Sequence, residues 1–96
     1  GGENISPREV DDVLYKHPSV IEAAAFAVPC DHYGEKIEAG VVLNNKKSLK
    51  EEDLIMHCKQ LLGDFKSPSK IHFINEMPKS SSGKIQRLKI KSLIYK

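Results

Sequence analysis

The sequence has no tryptophan, only two cysteines, and no apolar run long enough to cross a bilayer. Each absence removes a class of protein. Cys30 and Cys58 are too few and too far apart for a disulfide-stapled scaffold, and they suit a reducing compartment at least as well as a bridge. The polar opening "GGENIS" is no signal peptide, and no membrane span is expected. Charge of one sign does not dominate either: 15 Lys and Arg stand against 13 Asp and Glu, a net +2. A basic tail runs from Lys84 to Lys96 and carries Lys84, Arg87, Lys89, Lys91 and Lys96. Its one aromatic is Tyr95, so base stacking has little support and no nucleic-acid partner is expected. A solvated helix face, or docking on an acidic partner domain, is the better reading of that charge run.

What is present is the composition of a globular domain, 40% hydrophobic and 29% charged over 96 residues. That length makes one small domain, residues 1–96, with a modest core and no room for a large cleft of its own. "GG" opens the chain without a methionine and leads into a strong helix start, so the chain reads as a piece of something larger.

In "ISPREVDDVLYKH", Ser6 can cap, Pro7 fits the first helical position and Glu9 completes a capping box. Ile5 and Val10 stand where a hydrophobic staple would put them, and Val10, Val13, Leu14 and His17 make the helical stripe. "VIEAAAFAV" predicts a buried strand over 20–28, ended by Pro29. "IEAGVVL" predicts a second strand over 37–43, and the short "CDHYGEK" connection makes the two an antiparallel hairpin. "SLKEEDLIMHCKQLLG" predicts a second helix, with Ser48 and Glu51 as a capping box. Leu54, Ile55, Cys58, Leu61 and Leu62 form its buried face, and Gly63 is its C-cap. "KIHFINEM" predicts a third strand with Ile71, Phe73 and Met77 on one side, and a last helix starts near Ile85. The expected fold is α+β: a small three-stranded sheet flanked by helices in the order α-β-β-α-β-α.

Between the third strand and the last helix lies "PKSSSGKIQR", Pro78 to Arg87. Serines and glycine make a flexible loop that can approach a ligand closely. Lys84, just beyond Gly83, is a compact cation with three donors, suited to phosphate or developing negative charge. The Walker pattern does not fit, because it needs a glycine where Pro78 stands and Ser or Thr where Ile85 stands. On spacing alone, a solvated loop with an idle lysine is the leading reading.

Three stretches together change that reading: "GGENISPREVDDVLYKHPSV", "AFAVPCDHYGEKIEAGVVL" and "PKSSSGKIQR". In order and spacing they resemble the mobile C-terminal domain of the adenylate-forming superfamily, which includes acyl-CoA synthetases, peptide-synthetase adenylation domains and luciferases. The likeness runs over essentially the whole chain and leans toward the peroxisomal-type branch that includes oxalate–CoA ligases.

The resemblance implies a two-step acid–thiol ligase. ATP, with Mg2+, activates a carboxylic acid to an acyl-adenylate and releases pyrophosphate; the acyl group then passes to coenzyme A. It implies an N-terminal domain that binds ATP, Mg2+ and the acid, with the hinge just upstream of Gly1, so the isolated chain is expected to be inactive. By the same resemblance, Lys84 is the catalytic lysine of the adenylation step. Gly1 and Gly2 would line the path of the coenzyme A arm in the thioester pose, and Lys66, Ser82 and Gly83 would contact nucleotide or coenzyme A.

Cys30, His32, His57 and Cys58 lack structural-zinc spacing, and His57 points about 100° away from Cys58 on the helix, toward the surface, so no metal site is expected on this chain. The ending "LIYK" is no peroxisomal tripeptide, and the expected location is intracellular, with cytoplasm, peroxisome and mitochondrion not separated. The competing expectation is a stand-alone module that binds coenzyme A or nucleotide, or a partner, without chemistry. A reading frame extending far upstream of Gly1 would separate the two.

Overall fold

The computed structural model describes residues 6–30, 34–44 and 49–95. The elements are α1 (Pro7–Tyr15), β1 (Val20–Cys30), β2 (Gly34–Leu43), α2 (Glu51–Leu62), β3 (Lys70–Phe73) and α3 (Arg87–Ile94). The expected order holds, and so does the hairpin: β1 pairs antiparallel with β2 from Val20↔Leu43 to Cys30↔Gly34. β3 then joins the other side of β2 in parallel, from Glu38↔Lys70 to Val41↔Phe73. Parallel pairing needs a crossover, and α2 supplies it. β2 is therefore the central strand of a mixed sheet and β1 a free edge.

The sheet is covered on both faces. Strand alternation sends Ala23, Ala25, Ile37, Ala39, Val41 and Ile71 toward Val10, Val13 and Leu14 of α1 and Leu54 and Cys58 of α2. The opposite face packs Ala24, Phe26 and Val28 against Met77 and Ile90, with Val42, Ile74, Ile85 and Ile94 at the margin. This is why β1 reads as an unbroken apolar run: a strand buried on both faces has no polar side to alternate with. Gly40, on the α3 face of β2, marks the closest approach. A Cβ built there would lie 2.8 Å from Ile90 Cγ2.

Several local expectations give way to tertiary contacts. Ser6 makes no side-chain cap to α1, and Glu9 instead faces Lys66 with 3.6 Å between Oε2 and Nζ. α2 starts at Glu51 rather than near Ser48, which lies outside the described residues along with Ile5. There the Lys50 N–H donates to Asp53 Oδ2 at 3.0 Å. The Glu51 carboxylate is used elsewhere: it accepts the Ile71 N–H at 2.8 Å and ties α2 to the start of β3. Gly63, with φ 88°, ends α2 as expected. Leu54, Cys58 and Leu62 carry the core side of α2 in an i, i+4 row, while Leu61 is 51% exposed. Met77 does not share a side with Ile71. It lies past the end of β3, where strand alternation no longer applies, and joins the α3-side cluster; Phe73, the last residue of β3, is exposed.

Candidate functional site

The segment after β3 folds back on itself to present Lys84. Ile74 N–H donates to Val41 O, which keeps the chain on the sheet, and buried Met77 anchors it beneath α3. Lys79 and Ile85 then pair as an antiparallel bridge. Inside it, Ser80 N–H donates to Lys84 O at 2.9 Å and Gly83 N–H donates to Ser80 O at 2.9 Å. Gly83 sits at φ 85°, a left-handed conformation that glycine adopts without strain. The Ser80 and Ser82 hydroxyls are 2.9 Å apart, and Ser80 Oγ also accepts the Lys84 N–H at 3.3 Å. The composition predicted a flexible loop; hydrogen bonds make it a closed turn.

Within this turn the structure places Ser82, Gly83 and Lys84, all exposed. The Lys84 ammonium has no hydrogen-bond or ion-pair partner among the described residues. It opens onto a polar crevice of about 620 Å³ between the turn and α1, lined also by Arg8, Asp12, Tyr15 and Glu22. Lys66 is not part of that crevice, and its ammonium is held by Glu9 near the start of α1. Gly1, Gly2 and His32 lie outside the described residues.

The turn is pinned at both flanks to the free edge of β1. On one side Lys79 Nζ meets Glu22 Oε2 at 2.8 Å, and that carboxylate raises the lysine pKa. On the other, Arg87 Nη2 lies 2.9 Å from Asp11 Oδ2, and Arg87 Nη1 donates to Asp11 Oδ1 at 3.1 Å and to Ala25 O. Asp11 Oδ1 in turn accepts the Ala25 N–H at 2.6 Å. One bidentate pair thus satisfies both backbone groups of an edge residue. Arg87 is therefore not one of the solvated charges of a basic face, as the tail suggested.

The far end of α3 is held by a buried charge. Glu38, 1% exposed on the α3 face of β2, accepts hydrogen bonds from the Tyr95 hydroxyl and from His72 Nε2 at 2.7 Å, with Lys36 Nζ at 3.7 Å. Burial alone would push the Glu38 carboxyl up. The hydrogen bonds from Tyr95 and His72, with the charges of His72 and Lys36, outweigh it and hold the carboxyl below its ordinary value. The same hydrogen bond, aided by burial and the nearby negative charge, pushes the Tyr95 phenol up to about 12.

Asp11, Ala25, Arg87 and Glu38 were not legible as a group in the sequence. Asp11 reads as the polar side of α1, and Glu38 reads as a surface position in a half-buried strand. The faint signal was the arginine that closes "PKSSSGKIQR". His57, expected at the surface, is also engaged: its Nε2 lies 2.7 Å from Val13 O and links α2 to α1. Among the described residues, no three His, Cys, Asp or Glu side chains converge as a metal site would require, and no helix is long and apolar enough to cross a membrane.

Comparison with known proteins places this geometry. Residues 9–84 match the profile of the family described as the AMP-binding enzyme C-terminal domain. The chain is 48% identical over 90 residues to the sulfoacetate–CoA ligase of Cupriavidus necator, covering 94% of the chain and 18% of that protein. It is 44% identical over 87 residues to the oxalate–CoA ligase of Saccharomyces cerevisiae, covering 91% of the chain and 16% of that protein. Among solved structures, an acyl-CoA synthetase from Brucella canis superposes with a TM-score of 0.87 at 37% identity, over 97% of the chain and 18% of that structure. ATP-bound MatB from Rhodopseudomonas palustris superposes with a TM-score of 0.89 at 29% identity, over the whole chain and 20% of that structure. The chain thus spans between 16% and 20% of the length of these relatives. By profile, sequence and fold, the chain belongs to the family of AMP-binding enzyme C-terminal domains, in the branch that includes oxalate–CoA ligase.

Proposed function

We propose that this domain serves a larger acid–thiol ligase that converts a carboxylic acid, ATP and coenzyme A to the acyl-CoA, AMP and pyrophosphate. The observation that carries the reading is Lys84: an ammonium with no partner among the described residues, on a hydrogen-bonded turn that lines an open crevice, in a chain whose relatives carry the names of CoA ligases. In the first step a carboxylate oxygen attacks the α-phosphorus of ATP and the bond to pyrophosphate breaks. Two anions must meet for this to occur. A fixed ammonium between them offsets their repulsion and stabilises charge that builds on the phosphoryl oxygens. In the second step the thiol of coenzyme A attacks the acyl carbon, loses its proton, and AMP departs.

The exposed Ser82 hydroxyl and the backbone around Gly83 offer close approach to a phosphate beside Lys84. Gly1 and Gly2 are assigned to the coenzyme A path, and Lys66 to a nucleotide or coenzyme A contact once released from Glu9. Magnesium screens the triphosphate when bound, and its ligands are assigned to the N-terminal domain, the principal partner of this one. Because the turn is closed, Lys84 would be delivered and withdrawn by motion of the whole domain rather than of a loop. ATP and coenzyme A as co-substrates put the reaction inside the cell. The test is pyrophosphate release by the full-length protein with ATP, magnesium and a panel of carboxylic acids. Release that depends on one acid, followed by its thioester when coenzyme A is added, supports the reading. Its absence with every acid, from a folded protein that binds coenzyme A, contradicts it and favours a binding module.

A further inference from the structure

We infer that Asp11 and Arg87 are positioning residues for Lys84: their bidentate pair across the edge of β1 sets where the lysine stands during adenylate formation. The inference rests on the role proposed for Lys84. Three observations carry it. First, no free hinge separates Arg87 from Lys84. Lys84 O accepts from Ser80, Ile85 bridges to Lys79, and Gln86 N–H donates to Pro78 O at 2.8 Å. The position of the guanidinium is therefore transmitted to the lysine backbone. Second, the clamp binds to the sheet itself. Asp11 and Arg87 take both the N–H and the C=O of Ala25, with the Asp11 and Arg87 side chains 13% and 34% exposed. Third, the clamp is separate from what holds α3 down, which is Ile90 in the core and Tyr95 on Glu38. Loosening it leaves the turn pinned on one flank only, by Lys79 and Glu22, and releases the first residue of α3 without emptying the core.

A lysine that must stand between two reacting anions is sensitive to small displacement, because misplacement by about 1 Å can cost on the order of 100-fold in rate. The clamp is therefore expected to matter for the step that uses Lys84 and not for the thioester step.

The experiment uses the full-length protein that carries this domain, with Arg87→Met, Asp11→Asn, Arg87→Lys and Lys84→Ala. Adenylate formation is followed by acid-dependent exchange of labelled pyrophosphate into ATP. The thioester step is followed from pre-made acyl-adenylate and coenzyme A. Arg87→Met should lower kcat for adenylate formation about 10–100-fold with KM for ATP little changed, and thioester formation should persist. Arg87→Lys should recover part of the loss, since an ammonium reaches one acceptor but cannot bridge two. If Arg87→Met fails to fold, Asp11→Asn keeps an acceptor for the Ala25 N–H while losing the charge, and it should show the same split. Equal loss of both steps, or no loss in either, overturns the inference. If Lys84→Ala leaves adenylate formation intact, the role of Lys84 falls and the clamp with it. If Lys84→Ala is defective while the clamp variants are not, the clamp alone falls.

Discussion

Gly40→Ala should destabilise the domain by driving α3 off the sheet. The new methyl would meet Ile90 Cγ2 at 2.8 Å, Ile74 Cδ1 at 3.4 Å and Ile90 Cδ1 at 3.7 Å. Carbon pairs rest at about 3.5–4.0 Å, so the first contact overlaps by nearly 1 Å. Ile90 is 0% exposed and lies on a helix, where a β-branched side chain has one strongly preferred χ1, so it has nowhere to turn. Overpacking of this kind costs about 1–3 kcal/mol. Replacing glycine in a strand returns about 0.5–1 kcal/mol through backbone entropy. The net expectation is a loss of up to about 2.5 kcal/mol, with each 1 kcal/mol lowering Tm by about 4–8 °C at this size. Urea and thermal unfolding of the chain by circular dichroism would read it. The double variant Gly40→Ala/Ile90→Leu should lose less than the sum of the singles, because leucine carries no methyl on Cβ. A stabilising Gly40→Ala, or strict additivity with Ile90→Leu, would refute the account of how α3 is seated.

Four further outcomes follow from Glu38, Tyr95 and Cys58, and from the small share of its relatives' length that the chain spans. Because Glu38 titrates below its ordinary value of 4.5 when folded, its contribution to stability is present above that pH and is lost as pH falls through the lower folded value. Tyr95 works in the opposite sense: its contribution is intact below pH 10.0 and lost as pH rises to about 12. Tyr95→Phe should flatten the alkaline limb and cost about 0.5–1.5 kcal/mol, because Tyr95 is 48% exposed and solvent screens its hydrogen bond to Glu38, as read by denaturant melts across pH. Burial pushes the Cys58 thiol up to about 11, so with Cys30 replaced by serine a disulfide reagent at neutral pH should label it only on unfolding. The 96-residue chain alone should form no acyl-adenylate from ATP and any acid, and adenylate formation by it would break the two-domain reading.

Local chemistry made much of this fold legible. Pro7 and the Val10, Val13, Leu14 stripe mark α1, the short "CDHYGEK" stretch marks the hairpin although β1 runs on through Pro29 to Cys30 and β2 already starts at Gly34, and Gly63 marks the end of α2. What stayed hidden depends on contacts distant in sequence. Glu51 and Glu9 look like capping acids, and both are drawn away, to Ile71 N–H and to Lys66. The parallel seat of β3 is set by the α2 crossover and by pairing with β2, neither of which leaves a periodicity. At the site, Lys84 stood out through its motif and the family resemblance. The Asp11–Arg87 pair joins residues 76 apart and carries no pattern that a window of sequence can hold. The serines misled in a specific way: their hydroxyls and backbone close the turn instead of loosening it.

The central claim is that Lys84 serves adenylate formation and is elsewhere when coenzyme A attacks. The most direct measurement supplies pre-made acyl-adenylate and coenzyme A to the full-length wild type and to Lys84→Ala, beside the adenylation rate of each. Loss of one well-aimed charged donor should slow adenylate formation about 10²–10³-fold, roughly 3–4 kcal/mol. Lys84→Arg should not restore it, because a planar guanidinium does not fill the position of a compact ammonium between two anions. Thioester formation from the supplied adenylate should continue at the wild-type rate. Equal loss of both half-reactions in Lys84→Ala would contradict the account.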